Sequence, residues 1–325
     1  MNVPIPLYAL VVKEEKKLGK NGCYWQVVLR TEIGQFNANM WNAGDDVYDS
    51  PLFPHKGELI EVCDFKDQLE TFNSIVINSF KHLEKENLPD GILDSIMNVE
   101  KASKEDTKWA LDLIGDSSFW VNPEHHAFVV SCLANLDKQK LMSCPAATGV
   151  HHSYNGGLVV HTAEVLELAK SVVEASARRY AFVNRDVVYA GAILHDIGKV
   201  ETYYIDDVGV SESLVTERTI GHLFYGMNLI QNTSRDYPHL QKFRDEVMHV
   251  VASHHGRVEW GSIKEVLSLE AGIISRVDYI SSRNGMVEKE LQSYIKSKAL
   301  LPDNFRVYGD KYFATTGMKK YMESE

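Results

Sequence analysis

In the run "AGAILHDIGK", residues 190–199, His195 and Asp196 stand side by side inside an apolar helical pattern that stops at a glycine. Burying such a pair is costly unless a metal ion or a hydrogen bond from a neighbouring helix compensates it. Other apolar segments carry groups of the same kind: His161, His222, His254 with His255, and Asp278. Imidazole and carboxylate together suit a divalent transition metal better than calcium or magnesium alone; manganese is the first expectation, with iron, cobalt, nickel or zinc also served. A carboxylate next to a histidine, as Asp196 is, can bridge two ions. Lys199 follows His195 by four residues and Asp196 by three, so it returns to the same face one helical turn later. There it could hold a phosphate against the metal.

Each of these residues has a plainer reading alone. A single histidine such as His161 on an apolar helix can be structural, and His254 and His255 before Gly256 can cap a helix C-terminus through its dipole. Five segments presenting such groups in order favour the metal. His125, His126, His239 and His249 lack that company and are read as structural. His151 and His152 are candidates for the scissile phosphate, or else a capped loop before the helix that begins at Gly157. No "GxSxG" occurs, and "NGGL" lacks the lysine and spacing of a Walker motif, so no side-chain nucleophile or phosphate loop stands out.

The elements that must position these residues fall into two kinds. Up to about residue 80, "LYALVVKEE", "YWQVVLRT", "QFNANMWN", "GELIEVCDF" and "SIVINSFKHL" alternate or are rich in β-branched and aromatic residues. Five such strands, with a helical piece expected at "AGDDVYDS" between the third and fourth, fit an OB-like β-barrel. From residue 81 helical spacing takes over. Six segments, from "NPEHHAFVVSCLANL" to "SLEAGIISRVDYISSRNG", read as helices, with Asn184 and Ser268 as N-caps. The expected architecture is multidomain and mainly α: a barrel over residues 1–80, a helical connector over 81–125 and an all-α domain over 126–325.

The 325 residues are 44% hydrophobic and 24% charged, ordinary for a chain with a large core. A net charge of −11 excludes a global basic field and counts against a tight nucleic-acid coat. Four cysteines without a CxxC pair argue against a disulfide framework or thiolate zinc, and read as buried free thiols. No basic-then-apolar leader and no bilayer-length run is seen, so a cytoplasmic location without membrane contact is expected. In the barrel segment, Tyr24, Trp25, Phe36, Trp41 and Phe72 are available to stack bases, although several must form the core. Seven Lys or Arg against eleven Asp or Glu lie in residues 1–80, with Lys13, Lys16, Lys17 and Lys20 clustered around the first hairpin.

His161, the His195–Asp196 pair and Asp278 match the H…HD…D signature of HD-superfamily phosphohydrolases, which the chain resembles. "CPAATGVHHSYNGGLVVHT", "AGAILHDIGK", "GH" at 221–222, "ASHHGRVEWGS" and "EAGIISRVD" are similar to segments of YhaM-type 3′-to-5′ exoribonucleases, bacterial enzymes that join an OB-fold to an HD domain. The sequence departs from that pattern after Asp278, where "YISSR" replaces a second nearby aspartate, and it lacks the GYP continuation of cyclic dinucleotide phosphodiesterases. The resemblance implies that His161, His195, Asp196 and Asp278 hold one metal and that His222, His254 and His255 supply the second. It implies a water attacking phosphorus in line, with Asp196 and Lys199 as catalytic residues. His151, His152, Lys199, Arg257, Tyr24, Trp25 and Trp41 are the substrate-binding candidates, and single-stranded RNA or DNA the expected partner, with a second copy of the chain left open. The rival readings are a hydrolase of small or cyclic nucleotides with a regulatory barrel, and a non-enzymatic binding module that leaves seven ligand-type residues unexplained.

Overall fold

A computed structural model describes residues 5–19, 22–32, 34–41, 53–68, 74–89, 91–97, 99–296, 300–307 and 309–324. The chain divides into two compact units, one of residues 1–99, 207–209 and 288–325, the other of 100–206 and 210–287. The expected helical piece at "AGDDVYDS", together with Phe72 and Lys20, lies outside the described residues.

The first unit contains the five strands that the alternation predicts: β1 Leu7–Gly19, β2 Gly22–Thr31, β3 Gly34–Met40, β4 Leu59–Gln68 and β5 Ser74–Leu83. They close in the order β1-β2-β3-β5-β4, with β3 and β5 parallel and the other neighbours antiparallel. Closure leaves no edge strand to protect. β1 serves both sides, pairing β4 through Leu7–Leu10 and β2 from Leu10 onward. The register slips between Val11 and Lys13, a bulge of the kind that bends a strand around a barrel corner. Leu7, Val11, Val27, Leu29, Ile60 and Ile75 fill the interior.

Trp25 and Phe36 belong to that interior and are among the available aromatics that form the core, so the expected place of Trp25 among the substrate-binding residues is not supported by its burial. Trp25 sits on the inward phase of β2, and its ring meets Phe53 edge-on at 5.2 Å. Tyr24, one residue earlier, falls on the outward phase and stacks on Trp41 at 4.3 Å, with Trp41 49% exposed. The lysines of the first hairpin share an acidic neighbour, Glu15, 2.7 Å from Lys17 and 3.7 Å from Lys13. The barrel also leaves Cys23 and Cys63 exposed, so only Cys132 and Cys144 are the buried thiols that were expected. Burial pushes both of those up to about 12, far from nucleophilic. The same unit holds a short helix α1, Ile92–Met97.

The second unit is helical: α2 Lys104–Gly115, α3 Pro123–Ala134, α4 Lys138–Ser143, α5 Gly157–Ala177, α6 Arg185–Leu194, α7 Val215–Thr219, α8 His222–Thr233, α9 Gln241–Ser253 and the start of α10, Leu269–Lys296. Asn184 accepts from the Val187 amide, and Ser268 from that of Ala271, as the N-cap pattern predicts. α6 is buried on every side from Asp186 to Leu194, the signature of a central helix. Leu166 and Val165 of α5, Val250 and Val251 of α9 and Ile274 of α10 share one core with it. Two hairpins escaped the sequence reading. Tyr203–Ile205 pairs with Ser211–Ser213 here, and Asn304–Val307 pairs with Asp310–Phe313 in the first unit, strands too short to show a period. Among the described residues, no helix is long and apolar enough to cross a membrane.

One boundary differs from the sequence reading in a way that matters for the site. α6 ends at Leu194 rather than running through the His-Asp pair; His195 is its C-cap, and a 3₁₀ turn follows over Ile197–Glu201. Tightening the last turn in this way is common at helix C-termini. Here it brings Gly198 against the first turn of α8: a Cβ on Gly198 would lie 1.9 Å from the His222 carbonyl oxygen and 2.5 Å from the Gly226 nitrogen. The missing side chain lets His222 come up to Asp196. Gly198→Ala is therefore expected to cost about 1–3 kcal/mol through overpacking. Urea denaturation of the metal-free protein should show the loss, and an unchanged midpoint would mean that α8 can retreat without penalty.

Candidate metal centre

Asp196 is 2% exposed and lies between two sets of histidines. Its Oδ2 is 3.4 Å from His195 Nε2 and 3.6 Å from His161 Nε2, while Oδ1 is 3.4 Å from His222 Nε2 and 3.5 Å from His254 Nε2. Asp278, delivered by α10, places Oδ1 at 3.2 Å from His161 Nε2 and 3.9 Å from His195 Nε2. Two groups result, each with ligand atoms within 4.8 Å of one another: His161, His195 and Asp278, and Asp196, His222, His254 and His255. A third group, His151, His152 and His161, adjoins the first.

The far side of each ring shows which nitrogen carries its proton. His195 Nδ1 is 2.9 Å from the Ala192 carbonyl and His254 Nδ1 is 2.9 Å from that of Val251, each three residues back in its own helix. His222 Nδ1 is 2.7 Å from Glu217 Oε1, and the other Glu217 oxygen accepts from the His222 amide at 3.0 Å. His161 Nδ1 is 3.0 Å from Ser281 Oγ. Carbonyl and carboxylate oxygens can only accept, so in His195, His254 and His222 the proton sits on Nδ1 and the Nε2 lone pair faces inward; for His161 the direction is set by what Ser281 itself donates to. These nitrogens then confront carboxylate oxygens, acceptor against acceptor, with nothing of the chain between them.

That arrangement fits a cation. Asp196 Oδ1, His222 Nε2 and His255 Nδ1 are buried without a hydrogen-bond partner, an omission that native interiors avoid unless an ion or water completes them. Burial pushes His161 and His254 below the ordinary histidine range, and His255 down to about 3, which keeps these three rings neutral as metal ligation requires, whereas burial of His195 is outweighed by the Asp196 carboxylate beside it, which raises that ring. Burial alone would raise the Asp196 carboxyl, but Lys199 and His195 beside it hold it well below the usual range. Asp278 is likewise lowered against its burial by His161.

The remaining candidates are placed as follows. Lys199 Nζ lies 2.6 Å from Asp196 Oδ2 and donates to the Ala146 carbonyl at 2.7 Å, so its ammonium is committed to the central carboxylate rather than turned to solvent. His151 and His152 are both buried, with ring centroids 5.0 and 5.4 Å from that of His161. Arg257 is exposed and lies 5.2 Å over the ring of Trp260, itself 61% exposed. Tyr24, Trp25 and Trp41 belong to the barrel and are no part of this cluster. Four residues escaped the sequence reading: Glu164, Glu217, Ser281 and Trp260. The carboxylates and the serine act on ligands across the fold or across a turn, and no spacing rule marks them; Trp260 was visible only as an aromatic three residues after Arg257.

Residues 158–283 match the HD domain, a span that begins just before His161 and ends just past Asp278. An HD domain holds divalent metal, and here it shares a chain with an OB-like barrel. The protein is thus a two-part HD-domain protein. It is 26% identical over 293 residues to the 3′-5′ exoribonuclease YhaM of Bacillus subtilis (strain 168), covering 88% of this chain and 87% of that one. It is 28% identical over 295 residues to the 3′-5′ exoribonuclease YhaM of Listeria monocytogenes serotype 4b, covering 89% and 88%. The 3′-5′ exoribonuclease YhaM of a Geobacillus strain matches at 26% over 295 residues. The similarity to these YhaM exoribonucleases thus runs over nearly nine-tenths of the chain. No solved structure matches it.

The Lys199–Asp196 contact sets a measurable balance between lysine and metal. Lys199→Met leaves a buried carboxylate without its ammonium, a change that costs about 3–5 kcal/mol when nothing replaces the partner. Urea denaturation in chelator should show that loss, and manganese should restore most of it. Equal destabilisation with and without manganese would show that the ion does not reach Asp196.

Proposed function

We propose that the protein shortens single-stranded RNA from its 3′ end by metal-dependent hydrolysis, with single-stranded DNA as the alternative substrate of the same site. The observation that carries this reading is Asp196, which offers one oxygen to each of two histidine groups in a chain whose relatives are named 3′-5′ exoribonucleases. Two ions suit it, with His161, His195, Asp196 and Asp278 holding one and Asp196, His222, His254 and His255 the other. Manganese is the metal we favour for these imidazole and carboxylate donors. Bound there, divalent ions supply a water of lowered pKa and neutralise the charge that grows on phosphoryl oxygens.

The chain's own groups do the rest. Asp196 keeps the two ligand sets in register. Lys199 holds positive charge beside it, where a scissile phosphate can share the ammonium, and His151 and His152 extend that side of the site. Arg257 over Trp260 offers a guanidinium for a phosphate and an indole face for a base. In the barrel, Tyr24 stacked on Trp41 provides an outward platform for a strand. We assign guidance of the strand to residues 1–80, connection to 81–125 and hydrolysis to 126–325.

Incubation of the manganese-loaded protein with 5′-labelled single-stranded RNA should give a ladder that shortens from the 3′ end. Intact RNA alongside hydrolysed mononucleotides would replace this reading with that of a small-nucleotide hydrolase. Asp196→Ala should abolish the ladder and bring bound manganese from about two ions per chain to below one, as elemental analysis would show. Trp41→Ala should raise KM for long RNA by an amount equivalent to about 1–3 kcal/mol, the worth of one stacked base, with dinucleotide hydrolysis unchanged. An unchanged KM for long RNA would remove the barrel face from the substrate path.

A further inference from the structure

Glu164 lies one turn after His161 on α5, half-buried, and touches two histidine branches at once. Its Oε2 accepts the Ser281 hydroxyl at 2.7 Å, and Ser281 Oγ lies 3.0 Å from His161 Nδ1. Its Oε1 lies 3.1 Å from His152 Nε2, and His152 Nδ1 lies 3.2 Å from His151 Nδ1. An ionised carboxylate only accepts, and that single fact propagates along both branches. Ser281 has one proton and gives it to Glu164, so its oxygen must accept from His161 Nδ1–H. His161 is thereby left with a bare Nε2 facing Asp278 and Asp196. On the other branch His152 gives Nε2–H to Glu164, its Nδ1 is bare, and it accepts Nδ1–H from His151. His151 then keeps a bare Nε2.

We propose that Glu164 is a positioning residue that sets the tautomers of His161, His152 and His151 together, presenting His161 to the metal and His151 Nε2 as a hydrogen-bond acceptor beside it. Partners on the far nitrogen of a metal-bound histidine fix its orientation in this way. The distinctive feature is the coupling, since one acceptor governs a ligand and a non-ligand histidine. A glutamine at this position cannot serve both branches: its amide accepts on one side and donates on the other, so one branch must invert. The role assigned to His161 rests on the metal-site reading above, but the tautomers are properties of the metal-free chain and stand or fall without RNA cleavage.

The test is long-range ¹H–¹⁵N correlation NMR on the full chain labelled at histidine nitrogens, in chelator, with manganese affinity measured separately by calorimetry. The wild type should show His161 and His151 protonated at Nδ1 and His152 at Nε2. Ser281→Ala should disturb His161 and leave His152 as it was, and weaken manganese binding by roughly 10- to 100-fold. Glu164→Gln should invert either His152 or His161 in a chain whose remaining histidine signals are unmoved. A wild type with His161 protonated at Nε2, or unchanged tautomers in both variants, would overturn the proposal. So would manganese affinity within twofold of wild type in Ser281→Ala.

Discussion

The centre depends on lone pairs that converge with no proton between them. Every Nδ1 of His161, His195, His222 and His254 meets an oxygen on the outer side, and every Nε2 turns inward to a carboxylate. Such a set repels itself in a dry interior unless positive charge enters. Lys199 supplies one charge at the Oδ2 side of Asp196, while Oδ1 faces only imidazoles and has no hydrogen bond. The donor set is therefore one whose chemistry fits a cation.

The helices can hold it because their packing leaves little freedom. α6 is buried all round and ends where the His-Asp pair begins, so His195 and Asp196 are fixed by the core rather than by a loop. The 3₁₀ turn after it is locked by the approach of Gly198 to the His222 carbonyl. Ligands delivered from several helices reach hydrogen-bond range of one carboxylate only if each pair of helices approaches closely, and small residues at the crossings allow that.

The barrel carries a different logic. A closed five-stranded sheet must fill its interior, and Trp25 and Phe36 go there because their strand positions point inward. Their size made them attractive as stacking residues, and their phase decided against it. Tyr24 and Trp41 remain outside, stacked on each other. Glu15 draws the neighbouring lysines into ion pairs, which weakens the basic patch that the first hairpin presents.

The sequence by itself determined the kinds of chemistry available and the order of the elements. Alternation over residues 7–83 specified five strands, since a half-buried strand must alternate, and the run of His and Asp at successive helices named the donors, since few other side chains bind a transition metal. N-caps at Asn184 and Ser268 were legible because they act within one turn. Contacts across the fold were not legible. That Ser281 would link His161 to Glu164 follows from how helices meet, and no local pattern encodes a meeting of helices; Lys199 and Glu217 lie within five residues of Asp196 and His222, and there the spacing put them in reach while the packing aimed their side chains. The end of α6 at Leu194 was likewise decided by packing: the local pattern continues as a helix to Gly198, and the close approach of α8 requires the tighter turn.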